Sequence, residues 1–443
     1  MLVDFSFKNV GSFKNTQNFT MLRDTSLELE KASIVGDFLP NEGLNRVSAF
    51  YGANASGKTI FLEAIMVLSQ FVVLGRVEDI SFVNHEDDSA FRIIYIYNNK
   101  KYDYSIASDG ERVKHEKLNI YHSNQPTLIF EYSSEPRDIK FGGMISKEEA
   151  TAIDYNSQKE PNRPVLHLLK DSDVEDIKDA FNFFKKGIVG KEMPTLTSKS
   201  VERRLRKVVE KDPKVREFCN QILPAADFGI KNVALIDEHL VLNDKELSIL
   251  TNTFIELSEV NGKHLDENVK QKLRENISND IKRASFTHAI KNDLVNMDFS
   301  DESSGTVMAS SIFLDLKKVL DDGAVFVVDE IDCSIHPTLV VQLINVFNHE
   351  ETNPKGAQLI FTTHDVSILD SSIYGENILD RDQVWFVEKN DAGESSLYPL
   401  TQIGGVRKDD NLYRKYIVGR YGAVPKVSLF YEIKKYWEDK KDE

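Results

Sequence analysis

Residues 52–59 read Gly52-Ala53-Asn54-Ala55-Ser56-Gly57-Lys58-Thr59, two glycines spaced across a short loop that ends in Lys-Thr. Glycines let backbone N–H groups wrap phosphate oxygens, and a helix opening at Gly57 adds a dipole that favours anions. Gly52, Asn54, Ala55, Ser56 and Gly57 are therefore candidate phosphate contacts. Lys58 carries the charge to neutralise β- and γ-phosphates, and the Thr59 hydroxyl can reach Mg²⁺. A chance match is expected only about twice in a hundred chains of this length. A second feature is Ala324-Val325-Phe326-Val327-Val328-Asp329-Glu330. An apolar strand that ends in two carboxylates is costly unless the acids meet a metal or solvent. Asp329 fits the Mg²⁺ shell, and Glu330 fits the group that orients or deprotonates an attacking water. Such a strand end is common by itself and gains its meaning from the phosphate loop.

These groups need rigid elements behind them. Val47–Tyr51 is a short apolar run, predicted as a buried central strand that leads into the loop. Gly57–Leu74 then has helical spacing at Ile60, Ala64, Val67, Leu68 and Phe71. Leu2–Lys8 and Phe19–Leu22 alternate as half-buried strands. Phe91–Tyr97 and Tyr102–Ala107, joined through Asn98-Asn99, read as a hairpin that Val113–Tyr121 and Leu128–Tyr132 continue. After about residue 136 the chain turns polar, with helices predicted over Ser172–Lys186, Ser198–Val209, Val215–Leu223 and Asp266–Arg283. Pro213 separates two of them. From Asp298 strands alternate with helices: Val307–Leu320, Ala324–Val328, Thr338–Phe347, Gln358–Thr362 and Val384–Val387. That alternation predicts a largely parallel, helix-covered sheet. The expected fold is α/β: one nucleotide-binding lobe split by an insertion. Its N-terminal part, with the phosphate loop and a β subdomain, spans 1–135. A mixed, mostly helical insertion spans 136–290, and the C-terminal part of the lobe spans 291–443.

Composition narrows the class. The 443 residues are 41% hydrophobic with 26 Phe and 15 Tyr, enough for a large core. The net charge of −16 disfavours a surface coated to wrap nucleic acid. Cys219 and Cys333 lie far apart, with neither a disulfide framework nor zinc-ligand spacing. No signal peptide and no membrane-length apolar run are read, because the longest run, near Ala64–Gly75, contains Ser69 and Gln70. A cytoplasmic protein is expected.

Several further motifs resemble those of ABC-type ATPases of the SMC/RecF branch. Asp301-Glu302-Ser303-Ser304-Gly305-Thr306 stands one helix before Asp329, where that family has its signature loop. Ser303 and Gly305 match its serine and glycine, whereas Ser304 replaces a glycine and Thr306 a glutamine. Read without the resemblance, the same stretch is an ordinary helix N-cap. Ile331-Asp332-Cys333-Ser334-Ile335-His336-Pro337 resembles the D-loop, with His336 where many relatives have aspartate. Gln358–Asp365 resembles the strand and switch histidine, which makes His364 the expected γ-phosphate contact. Asp298-Phe299-Ser300, Asp382–Lys389 and Gly419–Pro425 complete a closer likeness to the stand-alone RloA-like ATPases of bacterial abortive-infection and anti-phage systems. PARIS-type and OLD-type ATPases are relatives. The likeness covers roughly residues 1–110 and 225–443.

This resemblance implies an ATPase that uses ATP and Mg²⁺, with Glu330, His364 and Lys58 catalytic. Lys58 also joins the loop residues, Ser303 and Gly305 in holding the nucleotide, while Thr59 and Asp329 hold the metal. It places a Q-loop between Arg92 and Leu118 and an adenine contact at Asn9 or Phe13. It implies an ATP-dependent oligomer, at least a dimer, in which one subunit's signature closes over the nucleotide of the other. The expected function is a sensor and scaffold that controls a separately encoded effector, a nuclease, in anti-phage defence. A Toprim nuclease domain is expected to be absent from this chain. The alternative is a DNA-clamping repair ATPase, for which Arg203-Arg204-Leu205-Arg206-Lys207 and Lys434-Lys435 are the basic stretches. A transporter subunit is disfavoured by the degenerate signature and the large insertion.

Overall fold

The computed structural model describes residues 1–26, 33–34, 43–82, 87–122, 125–226, 229–238, 281–290, 293–407, 410–425 and 427–440. These form two compact units. The first comprises 1–195 and 318–443; the second comprises 196–317. The separate unit thus starts at 196, not at 136, because residues 137–195 pack with the N-terminal lobe.

The first unit contains two sheets. The strands are β1 (Leu2–Lys8), β2 (Gln17–Thr20), β3 (Val47–Tyr51), β4 (Ser89–Tyr97), β5 (Lys100–Ser108), β6 (Val113–Tyr121), β7 (Pro126–Ser134), β8 (Arg137–Phe141) and β9 (Ile188–Glu192). Five of them, β4 to β8, form an antiparallel meander, and β1 joins its edge beside β4 with β2 outside it. Asn98 and Asn99 both adopt positive φ, 48° and 57°, as the tight hairpin turn between β4 and β5 requires. The helices of this region are α1 (Lys58–Gln70), α2 (Lys147–Lys159), α3 (Val165–Leu168) and α4 (Glu175–Lys186).

The second unit, as described, holds α5 (Ser198–Lys211) and α6 (Pro213–Ala225) beside an antiparallel sheet of β10 (Ile230–Glu238), β11 (Ile281–Ile290) and β12 (Asp293–Asp298). Val201, Leu205 and Val209 are buried on α5, and Val215, Cys219 and Leu223 on α6, each set at four-residue spacing. Pro213 opens α6 behind the Asp212 cap. Residues 266–280 of the predicted helix lie outside the described residues, and 281–283 open β11. The described part of the unit is thus mixed helix and sheet. Helix α7 (Ser304–Asp322) carries the chain out of it.

The C-terminal part of the first unit adds β13 (Val325–Asp329), α8 (Pro337–Asn348), β14 (Gln358–Thr362), α9 (Ser371–Tyr374), β15 (Val384–Lys389), β16 (Ser395–Pro399), α10 (Leu412–Ile417) and α11 (Leu429–Asp439). The second sheet runs β16-β15-β3-β14-β13-β9 and is parallel except for the β16 edge. Its central strands β3, β13 and β14 are buried at every position, which explains their unbroken apolar runs.

Helix α1 lies between the sheets. Phe61 stacks near Phe50 of β3 (4.4 Å) and also reaches Phe19 (5.3 Å), Phe7 (6.1 Å) and Phe5 (6.4 Å) of the antiparallel sheet. By length and composition Lys58–Gly75 could cross a membrane. Here it is a core helix, with Phe61, Leu62, Ala64, Ile65 and Leu68 buried. Gln358 joins the sheets as well: its side chain accepts from Leu2 N (2.6 Å) and donates to Leu2 O (2.9 Å).

One buried acid gives this lobe a pH dependence. Glu116 on β6 accepts hydrogen bonds from Val165 N (2.6 Å), Leu166 N (2.9 Å) and the Tyr104 hydroxyl (3.0 Å). Burial outweighs these bonds and pushes its carboxyl from 4.5 up to about 7. The unfolded chain loses this proton near pH 4.5, whereas the folded chain keeps it until about 7. Folded stability from this group is therefore complete below 4.5 and is lost as pH rises through the window, by roughly 3 kcal/mol. Glu116→Gln, which cannot ionise, should show a smaller loss of denaturation midpoint between pH 4.5 and 7.5. Parallel profiles for the two proteins would refute this assignment.

Candidate functional site

The phosphate loop leaves the C-terminal end of β3 and re-enters α1 at Gly57, whose φ of 112° needs a glycine. Gly52 is required for a different reason: a Cβ there would stand 2.3 Å from the Val387 carbonyl oxygen of β15. The loop is buttressed from below. Ser395 Oγ donates to Ser56 O (2.6 Å) and lies 2.7 Å from Ser12 Oγ, while Ser395 N donates to Ser12 O (2.7 Å). Sequence reasoning missed Ser12 and Ser395, since nothing marks two serines 383 positions apart as neighbours.

Lys58 is buried, and its ammonium donates to Gly52 O (2.9 Å) and Ala53 O (3.1 Å). Burial lowers its pKa, opposed by the nearby carboxylates of Asp329, Glu330 and Asp332. The next side chain, Thr59, donates to Asp329 Oδ2 (2.9 Å), and Thr362 Oγ1 donates to Asp329 Oδ1 (2.5 Å). Asp329 therefore ends β13 with both oxygens fixed, one of them beside the α1 hydroxyl. Hard oxygen donors of this kind fit Mg²⁺.

Glu330 follows with φ of 49°, an unfavourable left-handed conformation for a side-chain-bearing residue. Its backbone N–H is held by Thr362 Oγ1 at 2.7 Å. Thr362 thus positions both carboxylate residues, a role that sequence reasoning did not assign. His364 is exposed, and its backbone N–H lies 3.3 Å from both carboxylate oxygens of Asp332. Asn54 to Ile60, Glu330, His364 and Lys389 together line a cavity of about 640 Å³. Lys389, at the end of β15, is a further cation that the sequence reading did not place here.

The structure does not bring every expected residue to this cavity. Ser303 and Gly305 belong to the second unit, where Ser303 Oγ accepts from Thr306 N (3.1 Å) and caps α7. Asn9 is fully buried, donating to the Asp87 carbonyl and accepting from Phe82 N (3.0 Å). Phe13 is a core residue packed edge-on to Phe7 at 5.1 Å. Neither can stack on a base. The stretch Arg92–Leu118 forms β4 to β6 and holds no glutamine.

Two motifs of the closer likeness acquire structural roles. Asp382 and Asp380 flank the buried Arg23 (3.3 and 2.8 Å), which fixes the start of β15. Gly419–Pro425 is a packed turn: Tyr421 O accepts from the Tyr398 hydroxyl (2.9 Å), and Ala423 O accepts from the Tyr416 hydroxyl (3.1 Å). On α5, Arg204 is paired with Asp315, so the basic stretch is not a free row of cations.

Residues 47–370 match the family described as "AAA domain, putative AbiEii toxin, Type IV TA system", well over half of the chain. The chain belongs to this AAA domain family. No curated protein matches it. Among solved structures it is similar to the SMC head domain from Thermotoga maritima, at 13% identity and a TM-score of 0.39, covering 90% of this chain and 98% of that one. A SMC head bound to the C-terminal winged-helix domain of ScpA matches at 13% identity and TM-score 0.40, over 90% of this chain and 96% of that one. A head with an extended coiled coil, bound to the C-terminal domain of ScpA from Pyrococcus furiosus, matches at 13% and 0.39, over 90% and 95%. The AAA chain is an ATPase by family. Its fold is an α/β P-loop lobe: the loop follows a central parallel strand, one strand separates it from the Asp329 strand, and an antiparallel β subdomain covers α1.

Proposed function

We propose that this AAA protein hydrolyses ATP and that its ATP-bound oligomer acts as sensor and scaffold for a separately encoded effector, a nuclease, in anti-phage defence. The observation that supports it best is the cavity of about 640 Å³ that Lys58, Thr59, Glu330 and His364 line together, with Asp329 held beside it by Thr59. The family's printed description, which names a Type IV TA system, supports the defence setting. A cytoplasmic setting belongs to the same proposal.

In this reading the loop N–H groups and Lys58 bind the phosphates, Ser303 and Gly305 of a second subunit close over them, and His364 faces the γ-phosphate. Thr59 and Asp329 would hold Mg²⁺, which when bound neutralises phosphate charge. Glu330 takes the proton of the attacking water. Closure on ATP and release after hydrolysis would make an order–disorder switch.

The test is to purify tagged Glu330→Gln protein from its native host with ATP and Mg²⁺ and to determine the mass and contents of the complex. A nuclease-like protein on an ATP-dependent oligomer is the expected result. Bound nucleic acid without a protein partner would replace this reading with the DNA clamp.

A further inference from the structure

The C-terminal helix α11, Leu429–Asp439, has no buried residue. Phe430 is 73% exposed and Trp437 59%, and Leu429, Ile433 and Tyr436 are exposed with them. At about 100° per residue these five side chains fall on one face of the helix. Five large apolar groups on three turns form a patch of the kind that marks an interaction surface.

The flanks of this face say what covers it. Glu432 lies about 100° to one side of the apolar centre, with Asp439 beside it and Lys435 behind it; Lys434 lies about 100° to the other side with Glu438 behind it, and Lys440 sits over Tyr436 and Trp437 at the end of the face. In two parallel helices that face each other, opposite flanks meet, as in the charged pairs beside a coiled-coil seam. A second copy of the same helix therefore presents its basic flank to this acidic flank, twice by symmetry. A lipid surface fits less well: Glu432, Glu438 and Asp439 balance Lys434, Lys435 and Lys440, whereas helices that lie on membranes carry a basic polar face. Lys434 is within 3.6 Å of Glu438 on its own helix, an exposed pair that a partner can displace.

We propose that α11 is a self-association helix that pairs in parallel with α11 of a second copy, independently of nucleotide. This dimer differs from the ATP-dependent closure above and survives when the ATP site is disabled. Residue Val427, just before α11, lines a cavity of about 360 Å³ with Gly52, Thr363 and His364, so the paired helix is joined directly to the nucleotide-sensing end of the lobe.

The test is light scattering of the full chain at about 50 mM salt without nucleotide, in wild-type and Lys58→Ala backgrounds. Both should be dimeric. Phe430→Glu with Trp437→Glu should be monomeric, with an unchanged circular dichroism spectrum. Glu432→Lys alone and Lys434→Glu alone should each weaken the dimer about 10- to 100-fold, because like charges then meet twice. Mixing those two variants should restore a heterodimer, since each lysine then faces a glutamate. A monomeric wild type, charge variants as dimeric as wild type, or a mixture that stays monomeric would each overturn the proposal. So would a monomeric wild type that floats with anionic vesicles.

Discussion

Glu330→Gln should bind ATP as tightly as wild type and hydrolyse it at least about 100-fold more slowly. The substitution keeps the shape of the side chain and removes its capacity to accept a proton. The position is also protected against rearrangement. Glu330 is fixed at φ 49° by its N–H bond to Thr362 Oγ1, and neither the backbone strain nor that bond depends on the side-chain charge. Asp329, whose two oxygens are held by Thr59 and Thr362, should remain as placed. A loss confined to turnover, with nucleotide affinity retained, is therefore the expected signature. Single-turnover hydrolysis and equilibrium nucleotide binding measure the two separately. A variant that hydrolyses ATP within about fivefold of wild type removes Glu330 as the base. Glu330→Gly adds a check on the strain argument: it should be inactive yet no less stable than wild type, because glycine adopts this φ freely.

Much of this site was legible because its residues lie at strand ends next to one another in sequence. Gly52 to Thr59 announces a loop by glycine spacing alone, and Val325–Asp329 announces a buried strand because both of its faces are covered. The hairpin at Asn98-Asn99 was legible for the same local reason, since two positive-φ residues suit that turn. What sequence did not carry was long-range. Ser12 reaches Ser395, Leu2 reaches Gln358, and Arg23 reaches Asp380 only after the sheets pack, and no local period encodes such pairs. Lys389 enters the cavity because β15 lies parallel beside β3 with Phe386 opposite Tyr51. Asn9 and Phe13 were misread because polar or aromatic character near the N-terminus does not reveal burial. In the fold Asn9 ties a loop and Phe13 fills the core. Ser303 shows the remaining limit. A serine before a helix caps it in any protein, and its cap bond to Thr306 N is present here whether or not a second subunit uses it.

Lys58→Ala should lower ATP affinity by at least about 100-fold while leaving the fold intact. The ammonium lies inside the phosphate loop and its bonds to Gly52 O and Ala53 O keep it there without nucleotide. Those carbonyl acceptors are neutral, whereas a phosphate oxygen adds an opposite charge to the same donor, so an entering polyphosphate takes the cation over. Removing one partner of a desolvated charge pair costs about 3–5 kcal/mol, which corresponds to a loss of roughly two to three and a half orders of magnitude in affinity. The cost is asymmetric because Asp329, Glu330 and Asp332 act electrostatically on Lys58. Without the lysine, these acids repel the incoming phosphates with no cation to offset them. The apo fold should tolerate the change, since the loop is held separately by the Ser395 to Ser56 bond and by Gly52 under Val387. Titration calorimetry with ATP reads the affinity, and the denaturation midpoint without nucleotide reads the fold. If Lys58→Ala binds ATP within tenfold of wild type, the phosphates do not occupy this cradle. If it loses affinity and apo stability together, the lysine is a structural support of the loop rather than its nucleotide ligand.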